Sequence, residues 1–152
     1  MDERIVELYT DGACSGNPGV GGWAAILKFG DYEKELSGSE AHTTNNRMEL
    51  SAIIYGLQAL KYPVKVEVYS DSAYVVNAIN KDWLSSWKRN NWRNAAKEPV
   101  SNQDLWIKLD EQMKIHETSF HKVKGHADHE YNNRADALAV KAVQDFKAEN
   151  NM

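Results

Sequence analysis

The sequences IVELYTDG at residues 5–12 and VKVEVYSD at residues 64–71 predict two β-strands that each end at an aspartate. The segment between them is long enough for a helical crossover, and such a connection is right-handed and leaves its two strands parallel. Functional sites in open α/β sheets form beyond the carboxyl ends of parallel strands. Asp11 and Asp71 therefore mark the edge of the sheet at which we expect function.

Strand and helix signals alternate along the rest of the chain. Apolar residues recur at helical spacing from Leu50 to Leu60, which predicts a helix that starts near residue 45, with Thr44 or Asn45 as its N-cap. The other predicted elements are hairpin strands over 21–29 and 32–39, a short helix capped by Asp71 or Ser72, a helix over about 102–116, a strand over 119–123 and a helix over about 132–146. The Asp11-Gly12 pair predicts a turn after the first strand. This alternation indicates an α/β fold.

The composition is that of a single globular domain. The chain has 152 residues, of which 42% are hydrophobic and 26% charged. We expect one domain over residues 1–152 with its core at about 5–146. Cys14 is the only cysteine and the first residues lack the pattern of a signal peptide, so we expect a cytoplasmic protein. No apolar run approaches the roughly 18 residues of a membrane span, and we expect a monomer with neither a membrane nor an obligate protein partner.

Positive charge is concentrated in residues 81–97, hereafter the basic segment. Five cations and one acid make this segment +4 and the remainder −8, within a net charge of −4. Trp83, Trp87 and Trp92 interleave with the cations and supply aromatic faces beside phosphate-binding groups. The alternative is an amphipathic helix whose tryptophans are core residues, and we assign a core position to Trp83 alone. The basic segment is therefore predicted to bind nucleic acid locally.

The two strand-end aspartates imply a cation. Neighbouring strands lie about 4.8 Å apart, so Asp11 and Asp71 are forced close together and their repulsion favours a hard cation such as Mg²⁺. Glu49 lies in the first turn of the helix predicted from residue 45 and Asp136 in the first turns of the last predicted helix, so each can point at the same edge. Acids also favour helix starts because of the helix dipole. Spacing alone leaves open whether Glu49 and Asp136 reach the site.

Several motifs together resemble type 1 ribonuclease H, over a span from about residue 5 to residue 142. They are YTDG at 9–12 with GNPG at 16–19, TTNNRMEL at 43–50, SDS at 70–72, and VKGHA at 123–127 followed by Asn132 and Asp136. The resemblance implies the ribonuclease H-like fold, a mixed five-stranded sheet with helices on both faces. It also implies an endonuclease that hydrolyses the RNA strand of RNA/DNA hybrids and leaves 5′-phosphate and 3′-hydroxyl ends.

The resemblance implies the chemistry of the site as well. The family's metal-binding acids match Asp11, Glu49, Asp71 and Asp136, with Mg²⁺ as the expected metal, Mn²⁺ as a possible substitute and a two-metal mechanism. His126 matches a catalytic histidine that assists the attacking water or product departure. The alternatives for the histidines are a surface role for His126, and a zinc cluster of histidines 121, 126 and 129. The zinc cluster is disfavoured because oxygen ligands already supply a site.

Substrate contacts follow from the same resemblance. Cys14, Asn17 and Asn45 match positions that approach the RNA minor groove, where 2′-hydroxyls identify the strand, and Thr44 matches part of a DNA-phosphate pocket. The remaining expected contacts are Asn46, Asn77, Asn132 and, in the part matching the family's DNA-gripping protrusion, Trp83, Trp87, Lys88, Arg89, Trp92 and Arg93. Ala73 departs from the glutamine that bacterial relatives often carry there.

Two other functions fit the same elements. One is a nuclease of this fold that acts on DNA, and TTNNRMEL together with the basic segment argues against it. The other is a module that binds hybrids without cutting them. A binding module has no need of the acids, and all four are present.

Overall fold

The computed structural model describes residues 5–123 and 130–151. The described elements are β1 (Ile5–Ser15), β2 (Gly19–Phe29), β3 (Tyr32–Thr43), α1 (Asn45–Gln58), β4 (Lys65–Ser70), α2 (Ala73–Asn80), α3 (Trp83–Arg89), α4 (Gln103–Ile115), β5 (Glu117–Lys122) and α5 (Glu130–Glu149). None of the helices in these ranges is both long and apolar enough to cross a membrane.

The strands form one mixed sheet in the order β3-β2-β1-β4-β5. The hairpin strands β2 and β3 pair antiparallel with each other and with β1, whereas β1, β4 and β5 run parallel. The predicted five-stranded mixed sheet is confirmed. The register pairs Tyr9 with Tyr69, so both strands reach the same edge two residues before Asp11 and Asp71.

Two apolar layers cover the faces of the sheet. Successive strand residues point to opposite faces, so Leu8 packs into the larger core under α1, whereas Tyr9 packs into the smaller core under α5. The apolar positions of α1 from Leu50 to Leu57 are buried as their spacing predicts. On the other face, a Cβ at Gly22 would lie 2.4 Å from the Ala139 carbonyl oxygen, so glycine lets α5 approach β2 closely.

The first strand and the last helix are longer than the sequence predicts. β1 does not turn at Asp11-Gly12 but continues to Ser15, because its last residues pair antiparallel with β2. The caps are among the predicted candidates: Thr44 caps α1 by accepting the Arg47 backbone N–H, and Ser72 caps α2 by accepting the Val75 backbone N–H. α5 begins earlier and ends later than predicted, at Glu130 and Glu149.

The basic segment forms α3 and the turns after it. Trp87 and Trp92 pack against the core, and the Trp87 ring centroid lies 5.4 Å from that of Trp106. Trp83 is 42% exposed, so the prediction that it is a core residue is wrong. Leu84, one residue later, faces inward instead and is 5% exposed.

Candidate active site

Three carboxylates from three elements meet at the edge where the parallel strands end. Asp11 lies in β1, Asp71 follows β4, and Glu49 lies in the second turn of α1. Each offers an oxygen atom, and these oxygens lie within 4.8 Å of one another. The parallel pairing of β1 with β4 brings the two aspartates together, and the docking of α1 adds the glutamate.

Gly12 determines how closely α1 approaches the strand. A Cβ at this position would lie 2.6 Å from the Glu49 backbone nitrogen and 2.9 Å from Glu49 Oε1. The absence of a side chain therefore lets the Glu49 carboxyl sit directly beside Asp11. The Gly12 backbone N–H faces that carboxylate and partly offsets the effect of burial on the Glu49 pKa.

Asp136 reaches the site from the opposite face of the sheet. It lies in α5, is partly exposed, and accepts a hydrogen bond from Asp11 when Asp11 is protonated. Helices on both faces of the sheet thus each contribute an acid to the same edge. The spacing of residues along the chain had left open whether Glu49 and Asp136 reach the site. Sequence reasoning placed Glu49 in the first turn of its helix, whereas the structure places it in the second.

The electrostatics of the cluster favour a cation. Burial first, then the hydrogen bond to Asp136 and the charge of Asp71, raise the pKa of Asp11 to about 8. Burial and the charge of Asp11 raise the pKa of Glu49 well above its ordinary range. Glu49 Oε1 is buried and has no hydrogen-bond partner in the described part of the chain. An all-oxygen donor set with an unpartnered buried oxygen fits Mg²⁺ or Mn²⁺.

The predicted contacts with the RNA minor groove lie together on a rim beside the cluster. Asn17 Oδ1 accepts the Asn45 backbone N–H at 3.1 Å, which joins the β1–β2 turn to the start of α1. Cys14 Sγ lies 3.4 Å from the Thr43 carbonyl oxygen. Asn17, Asn45 and Asn46 are exposed, and Thr44 is partly exposed.

The cations of the basic segment have different environments. Lys88 Nζ lies 2.9 Å from Oδ1 of Asp110, a buried carboxylate in α4. Arg93 donates to the Lys97 carbonyl at 3.0 Å and braces the turn. Arg89 is exposed at the last position of α3. Lys88 and Arg93 are thus engaged within the fold.

The other predicted site residues differ in their exposure and in their contacts. Asn132 is 3% exposed and donates to the Tyr69 carbonyl at 3.3 Å, so it joins α5 to β4 and leaves little surface for a substrate. Asn77 is partly exposed on α2. His126 and His129 lie outside the described residues. His121, the third member of the zinc alternative, lies 3.1 Å from Glu67 on β4.

Sequence reasoning missed two supports of the site. Tyr9 and Tyr69 stack with ring centroids 5.0 Å apart, directly below the two aspartates, and their position two residues before each aspartate is the signal that could have found them. Arg47 makes a two-pronged contact with Asp104, at 3.0 and 2.8 Å, and ties the start of α1 to α4. The only sequence signal for this contact was the position of Arg47 within the TTNNRMEL motif.

A mixed sheet with an all-carboxylate site at the ends of its parallel strands defines a class of α/β nucleases. The family model described as RNase H matches residues 3–144. The chain belongs to the RNase H family, and it is an endoribonuclease of the hydrolase class. The resemblance stated from the motifs is confirmed.

Curated relatives and solved structures agree with this assignment. Ribonuclease H of Chlorobium phaeobacteroides is 58% identical over 142 residues, which cover 93% of this chain and 97% of the relative. Ribonuclease H of Caldanaerobacter subterraneus is 56% identical over 149 residues, covering 98% and 97%. The structure of LC9-RNase H1, a type 1 RNase H, has a TM-score of 0.84 at 27% identity, over 95% of this chain and 74% of that one. LC11-RNase H1 in complex with an RNA/DNA hybrid has a TM-score of 0.72 at 25% identity, over 93% and 98%.

Proposed function

We propose that the chain cuts the RNA strand of RNA/DNA hybrids endonucleolytically, by a two-metal mechanism that leaves 5′-phosphate and 3′-hydroxyl ends. The observation that carries this proposal is the group of Asp11, Glu49 and Asp71 oxygens within 4.8 Å of one another, with Asp136 adjoining. A similar structure, LC11-RNase H1, was solved in complex with an RNA/DNA hybrid.

The four acids would hold the metal, with Mg²⁺ as the proposed ion and Mn²⁺ as a substitute. When bound, divalent ions stabilise the charge on the attacking and leaving oxygens of a phosphodiester. The protein's part is to hold the ligands in place. Gly12 lets Glu49 sit beside Asp11, and its backbone N–H favours the charged form of the Glu49 carboxylate. Because the pKa values of Asp11 and Glu49 are raised, protons compete with the metal for these carboxylates, so metal affinity rises with pH.

The rim beside the cluster supplies strand choice. Asn17 and Asn45 present polar groups from two elements that are hydrogen-bonded to each other, with Cys14 alongside. Such a preorganised pair can recognise 2′-hydroxyls, which only the RNA strand carries. Thr44 would contact a phosphate of the DNA strand. His126 would assist the attacking water or product departure by moving a proton at its ring.

Hybrid cleavage is tested with an end-labelled hybrid in Mg²⁺, in Mn²⁺ and in EDTA, beside DNA and RNA duplexes of the same sequence. We expect internal cuts in the RNA strand of the hybrid, dependence on the metal, and loss of cleavage in Asp71→Asn. Equal cutting of the DNA duplex would favour the DNA-nuclease alternative. Tight hybrid binding without any cutting in Mg²⁺ would favour the binding-module alternative.

The remaining proposals concern the number of domains, the oligomeric state and the location in the cell. We propose that residues 1–152 fold as one domain, that the protein is a monomer, and that it acts in the cytoplasm. The first two predict a single cooperative unfolding transition and a scattering mass near 17.2 kDa. A concentration-dependent increase in mass would contradict the monomer.

A further inference from the structure

The end of α5 contacts the end of β1, next to the turn that carries Asn17. Lys147 Nζ, in the last turn of α5, donates a hydrogen bond to Ser15 Oγ at the end of β1. The two residues are 132 positions apart in sequence. Beside them lies a cavity of about 280 Å³, lined by Ala13, Cys14, Ser15, Val140, Val143, Gln144 and Lys147. The fold thus places a cation in the lining of a cavity that Cys14 also lines.

Both β1 and α5 run from the acidic cluster to the Lys147–Ser15 pair. Along β1, Ser15 is four residues beyond Asp11, which corresponds to about 13 Å in an extended strand. Along α5, Lys147 is eleven residues beyond Asp136, about 16 Å in a helix. Asp136 and Asp11 are hydrogen-bonded at one end and Lys147 and Ser15 at the other. The cation therefore lies a fixed distance from the cluster, at the end of β1 that leads into the turn carrying Asn17.

The charge of Lys147 is not neutralised within the described residues. No carboxylate lies within ion-pair distance of its ammonium group there, whereas Lys141, on the same helix, pairs with Asp145 at 2.7 Å. A hydroxyl uses one of the three donors of an ammonium group and leaves the others free. An exposed serine beside a lysine that has no carboxylate partner among the described residues suits a phosphate.

We propose that Lys147 and Ser15 bind a phosphate of the RNA strand about 13 Å from the acidic cluster, as a contact separate from the basic segment. This inference rests on the proposed function, because it takes the hybrid as the ligand. The RNA strand is favoured because Ser15 adjoins Cys14 and Asn17. The contact is separate from the basic segment because that segment packs against α4, where Lys88 pairs with Asp110.

The first test compares Lys147→Gln with Lys141→Gln, a matched change on the same helix. One lost phosphate contact should raise KM for the hybrid roughly three- to tenfold at 0.1 M salt and lower the slope of log KM against log salt by about one. We expect kcat to be unchanged, and Lys147→Arg to retain most of the affinity. Lys141→Gln should match the wild type. Equal KM values and slopes for the two glutamine variants, with similar melting temperatures, would overturn the proposal.

The second test locates the contact. In a series of hybrids, one phosphate at a time is replaced by an uncharged methylphosphonate in either strand. The wild type should lose affinity at one RNA-strand position that no longer matters to Lys147→Gln or Ser15→Ala. A response confined to the DNA strand, or identical profiles in all three proteins, would refute it. Failure of the wild type to cut any hybrid would instead refute the proposed function.

Discussion

At the scale of single residues, the acidic cluster makes the metal-free protein less stable than it could be. Asp11 is 6% exposed and Glu49 is 4% exposed, and both face other carboxyl groups. Burial penalises their charged forms, and the neighbouring charges add repulsion. A site built to hold a cation is therefore strained when the cation is removed.

Asp11→Asn should stabilise the metal-free protein as it abolishes cleavage. The pKa of Asp11 is raised from 3.8 to about 8, so its contribution to stability is full below about pH 4 and is lost as pH rises through 8. In EDTA at pH 8 we expect the variant to melt above the wild type, by about 2–4 °C per kcal/mol of relieved repulsion. Thermal unfolding from pH 5 to pH 8.5 measures this difference.

Magnesium should reverse the order of the two proteins. Binding to the native state shifts folding by mass action, so excess Mg²⁺ should stabilise the wild type more than Asp11→Asn. Asp145→Asn, at an exposed position of α5, is the control and should respond as the wild type does. If Asp11→Asn lowers the melting temperature in EDTA and Mg²⁺ shifts both proteins equally, Asp11 is structural.

The predicted role of His126 depends on the family resemblance alone. His126→Ala should retain metal binding, measured by calorimetry, while kcat falls by roughly 10² to 10⁴, the usual effect of losing a general acid or base. The matched control is His42→Ala, at an exposed position of β3. An unchanged kcat would return His126 to the alternative of a surface histidine.

At the scale of elements, the two cations of α3, Lys88 and Arg89, have different environments. Lys88 and Lys114 both pair with Asp110, at 2.9 and 3.4 Å, so this carboxylate fastens α3 to α4. Arg89 is exposed at the end of α3. Positive charge in the sequence indicated binding for the whole segment, whereas in the structure Lys88 takes part in packing and Arg89 is exposed to solvent.

Lys88→Ala and Arg89→Ala should therefore have different effects. Removing Lys88 leaves Asp110 with one exposed partner, which should lower the free energy of unfolding by about 1–3 kcal/mol, as for other buried groups that lose a partner. Arg89→Ala should leave stability within about 0.5 kcal/mol and raise KM with a shallower salt dependence. Urea unfolding and steady-state kinetics on both variants measure this. A pure KM effect for Lys88→Ala would contradict the packing role.

At the scale of the whole molecule, His116 joins three elements at the edge of the sheet opposite the acidic cluster. Its Nδ1 accepts the Val64 backbone N–H at 3.2 Å, its ring donates to the Leu57 carbonyl, and its own backbone N–H caps α4. The side chain therefore joins the end of α1 to the start of β4, and the residue itself ends α4. Burial lowers its pKa below the ordinary 6.5.

His116 should make the fold sensitive to mild acid. The neutral ring is favoured in the native state, so its stabilisation is full above pH 6.5 and is lost as pH falls below that value, where the unfolded chain takes up the proton. We expect the unfolding free energy in saturating Mg²⁺ to fall from pH 7 to pH 5 in the wild type and less in His116→Gln. His42→Gln is the exposed control. Parallel pH profiles for the wild type and His116→Gln would contradict this.

Local pattern was sufficient for much of the fold. The β-branched runs at residues 5–10 and 64–70 determined two strands, their helical crossover made them parallel, and this placed Asp11 and Asp71 at one edge. The apolar spacing of α1 likewise determined which face is buried. These features depend on neighbours in the chain or on a single handedness rule, so the sequence alone was enough to predict them.

Contacts between distant residues were decided only by tertiary structure. The approach of Glu49 and Asp136 to Asp11, the pairing of Lys88 with Asp110 and the contact of Lys147 with Ser15 each join separate elements. Trp83 was misassigned for the same reason. Whether a side chain on a short helix faces core or solvent depends on what packs against that helix, and no local period encodes it. Local pattern thus determined the elements and two acids of the site, and packing determined the rest.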